Sequence, residues 1–126
     1  MLDVYALIYS QLSTLNIPTY PDTYPKALAN TKVYPYIVYS FPTVFENNYA
    51  DLNQMQIDVW SNTSNNVEVE TITKNVDDLL KDYKQLTNDY FVRIYREKPY
   101  MLKLNEVTEI EIQRRQLRYI VKIFRR

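Results

Sequence analysis

The 126-residue chain is 46% hydrophobic and 24% charged, with 15 basic and 15 acidic residues and a formal net charge of zero. It holds 13 tyrosines but no cysteine, histidine or glycine. Those absences exclude a thiol nucleophile, an imidazole base, a disulfide framework and the usual zinc and copper sites. They also exclude the phosphate-binding loop, the dinucleotide fingerprint and the nucleophile elbow, which need glycine for tight turns or close backbone approach.

One domain spanning 1–126 is expected at this length. No catalytic, metal-binding or cofactor-binding residue is assigned, no cofactor is expected, and the chain reads as not an enzyme. The longest apolar run, VYALIY at 4–9, is far short of the roughly 20 residues of a membrane-spanning helix. The Met-Leu-Asp start carries no basic leader stretch, so no membrane partner is expected, and the protein should stay in the cytoplasm where it is made.

In chain order, Leu2, Tyr5, Ala6, Tyr9, Leu12 and Leu15 make one apolar stripe, which predicts a helix over 2–16, ended before Pro18. Residues 17–32 hold three prolines and no period, and read as a long loop. A hairpin follows over 32–60. Its first strand starts near Pro35 and is apolar on both faces; Pro35 donates no ladder hydrogen bond and belongs at a strand start or an edge. PTVFENNYAD (42–51) reads as the hairpin loop. In the second strand Met55, Ile57 and Val59 share the core face, and Gln54, Gln56, Asp58 and Trp60 share the other. Trp60 reads either as a cap over the sheet edge or as an interface anchor.

The polar run SNTSNN then opens a helix over 65–83. Asn65 and Glu68 stand in capping-box spacing. Val69, Ile72, Val76, Leu79, Leu80 and Tyr83 form the apolar stripe, with acids early and Lys81 and Lys84 late, as the helix dipole favours. Residues 90–125 read as strands: YFVRIYR (90–96) and YMLKL (100–104) either side of Glu97, Lys98 and Pro99, then at 105–111 an acidic connector or a strand of uncertain extent. A long final strand starts at Arg115, with Leu117, Tyr119, Val121 and Ile123 on one face. The expected class is α+β: a mostly antiparallel sheet of about four to five strands, with two helices packed on one face.

Charge is distributed unevenly. Residues 51–86 hold seven acids and three bases, and residues 87–126 hold five acids and ten bases. The acids Glu68, Glu70, Asp77, Asp78 and Asp82 and the bases Arg114, Arg115, Arg118, Lys122, Arg125 and Arg126 are candidate complementary patches between subunits. Solvated faces of a helix and a strand are the plainer reading. Tyr20, Tyr24, Phe45 and Tyr49, on the two long loops, are candidate partner contacts, since aromatics are favoured at interface hot spots. The plainer alternative folds them over the domain's own core.

PYIVYSF (35–41), the corner IDVWSN (57–62), the helix with VDDLL (76–80) and the basic strand RRQLRYIVKIF (114–124) together resemble the tail-completion proteins of long-tailed bacteriophages, the tail terminators or tail-to-head joining proteins. The resemblance implies a structural protein of the virion, located at the tail–head interface. There it would form a homo-oligomeric ring, often hexameric, that caps the tail tube and joins it to the head. Its partners would be copies of itself, the tail tube protein and a head-completion or connector protein. Phage DNA would pass through the lumen without sequence-specific binding.

Three other readings stay open. The first is a head-completion or adaptor component of the connector. The second is a single-stranded nucleic-acid binder, from the interleaved aromatics and arginines of YFVRIYR. The third is a Mg²⁺ enzyme using Asp51, Asp58, Glu109 or Glu111.

Overall fold

The structure, a computed structural model, describes residues 2–25, 33–46, 51–63, 66–106 and 112–125. Two α-helices, α1 (Leu2–Ser13) and α2 (Val67–Leu80), accompany six strands: β1 (Thr19–Pro21), β2 (Tyr36–Glu46), β3 (Asp51–Ser61), β4 (Lys84–Leu86), β5 (Tyr90–Glu106) and β6 (Ile112–Arg125). They form one sheet in the order β1-β2-β3-β6-β5-β4, curled into a half-barrel. The class is the expected α+β. The sheet is mostly antiparallel, as expected, but has six strands rather than four to five and is mixed, because β1 pairs parallel to β2.

Both helices lie on one face. Val4, Ile8 and Leu12 of α1 and Val69, Ile72, Val76 and Leu80 of α2 meet Ile37, Tyr39, Met55, Ile57, Val59, Val92, Ile94, Leu117, Tyr119, Val121 and Ile123 in a single buried cluster. Full burial of one such aliphatic side chain contributes roughly 1.5–3 kcal/mol, so two short helices can be held by a few residues each. Strand β6 sits between β3 and β5, and its alternation places every second side chain in this core, as the sequence predicted.

Several expectations are corrected. Helix α1 ends at Ser13 rather than 16, and Asn16 follows in the left-handed region at φ 58. Asp22 takes φ 64 just after β1. Asparagine and aspartate tolerate this region better than other non-glycine residues, which is how a glycine-free chain makes two of its corners. The stretch read as a structureless loop contains β1, whose Thr19, Tyr20 and Pro21 pair with Ile37, Val38 and Tyr39. Helix α2 begins at Val67 and is preceded by Asn66, which makes no side-chain cap bond. Glu68 instead accepts a hydrogen bond from Ser61 Oγ at 2.8 Å, and Asn65 lies outside the described residues. Its last turn holds no base: Lys84 belongs to β4 and Tyr83 follows the helix end.

Residues 90–96 and 100–104 are not two strands but parts of one, β5, which runs to Glu106. Proline at 99 suggested a break; the ladder absorbs it in an irregularity between Arg96 and Met101. Strand β2 has its own between Ser40 and Thr43. These two irregularities lie at one level of the sheet, opposite Gln54–Gln56 of β3 and Leu117–Tyr119 of β6. Extra residues in a ladder bend the strand and raise its twist. Two of them aligned across four strands fit the curl of this sheet.

Candidate functional site

The helix-covered face carries a buried polar cluster. Asp77 of α2 accepts hydrogen bonds from Tyr119 Oη at 2.8 Å and from Arg96 Nε at 3.1 Å, and Arg96 Nη2 contacts its other oxygen. Burial works against the Asp77 charge, but the bonds from Arg96 and Tyr119 outweigh it and hold the carboxyl below the usual carboxylate range. Burial, and then the bond to Asp77, push the Tyr119 hydroxyl well above its usual range. The Arg96 guanidinium also lies over the Tyr100 ring, 4.0 Å from its centroid. Next to this cluster, Arg115 is buried and reaches Glu70 Oε1 at 2.9 Å, a carboxylate shared with Lys103 Nζ at 3.7 Å.

Neither described helix lies over the other face of the sheet. At one corner Tyr24, Tyr36 and Val38 form a small core, with Tyr20, Tyr34 and Trp60 packed against it. Tyr36 and Trp60 stack at 5.9 Å, and Arg114 lies 4.9 Å from the Trp60 ring while its Nε donates to Asp58 Oδ1 at 3.0 Å. Trp60 therefore packs within its own chain, but on an interior strand between Tyr36 of β2 and Arg114 of β6 rather than over a sheet edge. At the opposite corner, formed by β4, β5 and β6, no described helix covers the face. Register alignment gives two rows across these strands: Leu86, Phe91 and Phe124, then Lys84, Arg93 and Lys122. Phe91 and Phe124 stack with centroids 6.0 Å apart. Arg93 lies 5.4 Å from the Tyr95 ring and Lys122 5.2 Å from that of Phe124. Between the corners, Pro42, Gln54, Gln56, Glu97 and Arg118 line a notch of about 190 Å³ at the level of the two irregularities.

The residues singled out from sequence fall as follows. Tyr24 is buried and Tyr20 partly buried in the small aromatic core of this same chain. Phe45 lies in β2, paired with Leu52, and Tyr49 is outside the described residues. Asp77 is closed in by Arg96 and Tyr119, Glu70 by Arg115 and Lys103, and Asp78 by Lys74 and Lys81. Arg114 is held by Asp58, and Arg125 by Asp51. Asp82 is exposed, and Arg126 lies outside the described residues. Of the basic tail, Arg118 donates to the Gln116 amide oxygen at 3.3 Å, and among the described residues neither it nor Lys122 has a carboxylate partner. Most of the acids and bases that look like complementary outer patches in the sequence are engaged within the chain, but only Glu70 and Arg115 join one patch to the other. The signal sequence reasoning missed is the row through Lys84, because only strand register brings that residue beside Arg93 and Lys122.

For a metal, Asp51 and Asp58 are engaged by Arg125 and Arg114, and Glu109 and Glu111 lie outside the described residues. No group of three or more potential ligands occurs among the described residues. No described helix is long and apolar enough to cross a membrane.

No protein-family model matches this chain, and no curated protein matches its sequence. Among solved structures it is similar to a chain in the virion of a native gene transfer agent particle. The TM-score is 0.62 at 14% identity, covering 93% of this chain and 91% of that one. At that identity the likeness is one of fold.

Proposed function

We propose that this chain is a structural protein of a phage or phage-like virion, and within that class a tail-completion protein that caps the tail tube and joins the tail to the head. The observation that carries the reading is the fold shared along nearly the whole chain with a component of a virion particle. The quoted sequence stretches support its finer half, with elements in the order the tail-completion resemblance implies. The role calls for shape and contact surfaces rather than for a catalytic residue or cofactor.

Ring assembly needs two unlike surfaces on one subunit, and the two edges of the sheet are unlike. One edge is β1, short, parallel and closed by Pro21; the other is β4, antiparallel, with Leu86 64% exposed. Copies of itself, the tail tube and a connector protein are the proposed partners, with DNA passing the lumen at ejection. A head-completion or adaptor protein would draw on the same fold evidence and differ only in its neighbours.

Electron microscopy of tail tubes from particles lacking this protein, with and without the purified protein added back, tests the role. Overlong tubes that become capped and competent to join heads are the expected result. Binding to the capsid portal and not to tubes would transfer the assignment to head completion. Binding to neither would remove the virion role.

A further inference from the structure

Three cations, Lys84, Arg93 and Lys122, stand in direct register across three adjacent strands on the face of the sheet that neither described helix covers. Like charges directly opposite one another in a sheet are destabilising. No ion pair among the described residues offsets that cost for any of the three. The exposed acids Asp82 and Asp89, in the turns either side of β4, make no such pair either. A row of this kind is complementary to a line of negative charge. Neighbouring strands lie about 4.8 Å apart, so the row is roughly 10 Å long.

The flanking rows narrow the chemistry. On one side lie Leu86, Phe91 and Phe124, and on the other Tyr95, opposite Ile120. All four rings and aliphatic groups on β5 and β6 are only half-buried, and Leu86 is 64% exposed. Arg93 and Lys122 already lie against the Tyr95 and Phe124 rings, so cation and ring form one surface. A plain anion would use the cations alone. A strand with both phosphates and free base faces uses both, because any base can stack on an aromatic ring while basic groups follow the backbone.

We infer that the β4–β5–β6 corner of this sheet face is a binding site for single-stranded nucleic acid, with phosphates on Lys84, Arg93 and Lys122 and bases against Phe91, Phe124 and Tyr95. The inference goes beyond the virion role and does not rest on it: the one is read on tail tubes, the other on the isolated protein.

The test is fluorescence anisotropy of a labelled oligothymidine, alone and annealed to its complement, titrated with the full chain over a series of salt concentrations. The expected result is that the single strand binds at low salt more tightly than the duplex and is released as salt rises. Each of Lys84→Gln, Arg93→Gln and Lys122→Gln should lower the salt slope by about 0.7, the value for one phosphate contact on a single strand. Phe124→Leu should leave the slope unchanged and weaken binding roughly fivefold or more. Because the glutamine variants remove repulsion on this face, their melting temperatures should not fall, and this separates lost binding from lost folding. Absence of binding at low salt, a duplex held more tightly than the single strand, or a slope indifferent to all three substitutions would each overturn the inference.

Discussion

Asp77 shows how one residue can be read correctly as acidic and misplaced by its neighbourhood. Its carboxylate is nearly buried, and Arg96 and Tyr119 both point at it. Removing one partner of a buried charged pair costs about 3–5 kcal/mol, and the partial exposure of Arg96 places Asp77→Ala near the lower end. Tyr119→Phe, which deletes a hydrogen bond to a charged group, should cost about 2 kcal/mol. Urea unfolding of the two variants checks both.

The pH dependence follows from the same contacts. A carboxyl held below its usual range contributes stability that is present above that range and lost as pH falls through its folded value. The wild type should therefore weaken below about pH 4, and Asp77→Asn should show a flatter acid limb. The tyrosines carry the opposite limb. Burial, reinforced by the bond to Asp22, raises Tyr5 to about 12, and burial also raises Tyr36, Tyr39 and Tyr119. Raised tyrosine values mean stability that is complete below about pH 10 and lost above it. An ultraviolet titration should find these hydroxyls ionising late, together with unfolding.

At the scale of elements, α2 was legible because its apolar stripe has helical period, and β3 and β6 because strict alternation marks a half-buried strand. Helix α1 was legible as a helix but not in its face, since Val4 and Ile8 are buried with Leu12 while Ala6 and Tyr9 of the expected stripe are exposed. Their ends were less so. Asn16 ends the turn after α1 with φ 58, a corner where glycine would be expected from most sequences. Asn16→Ala should cost about 1–2 kcal/mol, the penalty of a Cβ in the left-handed region, whereas Asn16→Gly should be close to neutral. Thermal melts of the two variants check it. The merger of 90–96 and 100–104 into β5 was not legible, since proline ordinarily interrupts a ladder and only the partner strand β6 shows that pairing resumes beyond it. Strand β1 was hidden for a similar reason: three residues hold no period, and their pairing is with a strand 18 positions away.

For the whole molecule, β1 and β4 form the edges of the sheet among the described residues, and the β4 edge is the more exposed. The Ile94 N–H donates to the Tyr83 carbonyl and the Thr87 N–H to the Tyr90 carbonyl, so by the alternation of an antiparallel ladder Lys84 and Leu86 direct their backbone groups away from the sheet. Exposed edges of this kind are templates for another chain. If copies meet there in the proposed ring, Leu86→Pro should abolish concentration-dependent assembly in sedimentation experiments, or capping of tail tubes, while the monomer keeps its melting temperature within a few degrees. An unchanged assembly would move the subunit contact elsewhere.

Sequence alone determined the class of fold and most of the core, because hydrophobic period depends only on a residue's near neighbours along the chain. It also determined what chemistry is missing, since an absent side chain is absent in any fold. Strand order, the parallel β1 and the aligned irregularities that accompany the curl of the sheet were decided by tertiary structure. So was the fate of the charges. Whether Asp77 meets a partner subunit or Arg96, and whether Lys84 caps a helix or completes a row with Arg93 and Lys122, depends on register between strands distant in sequence. No pattern local to either residue carries that register.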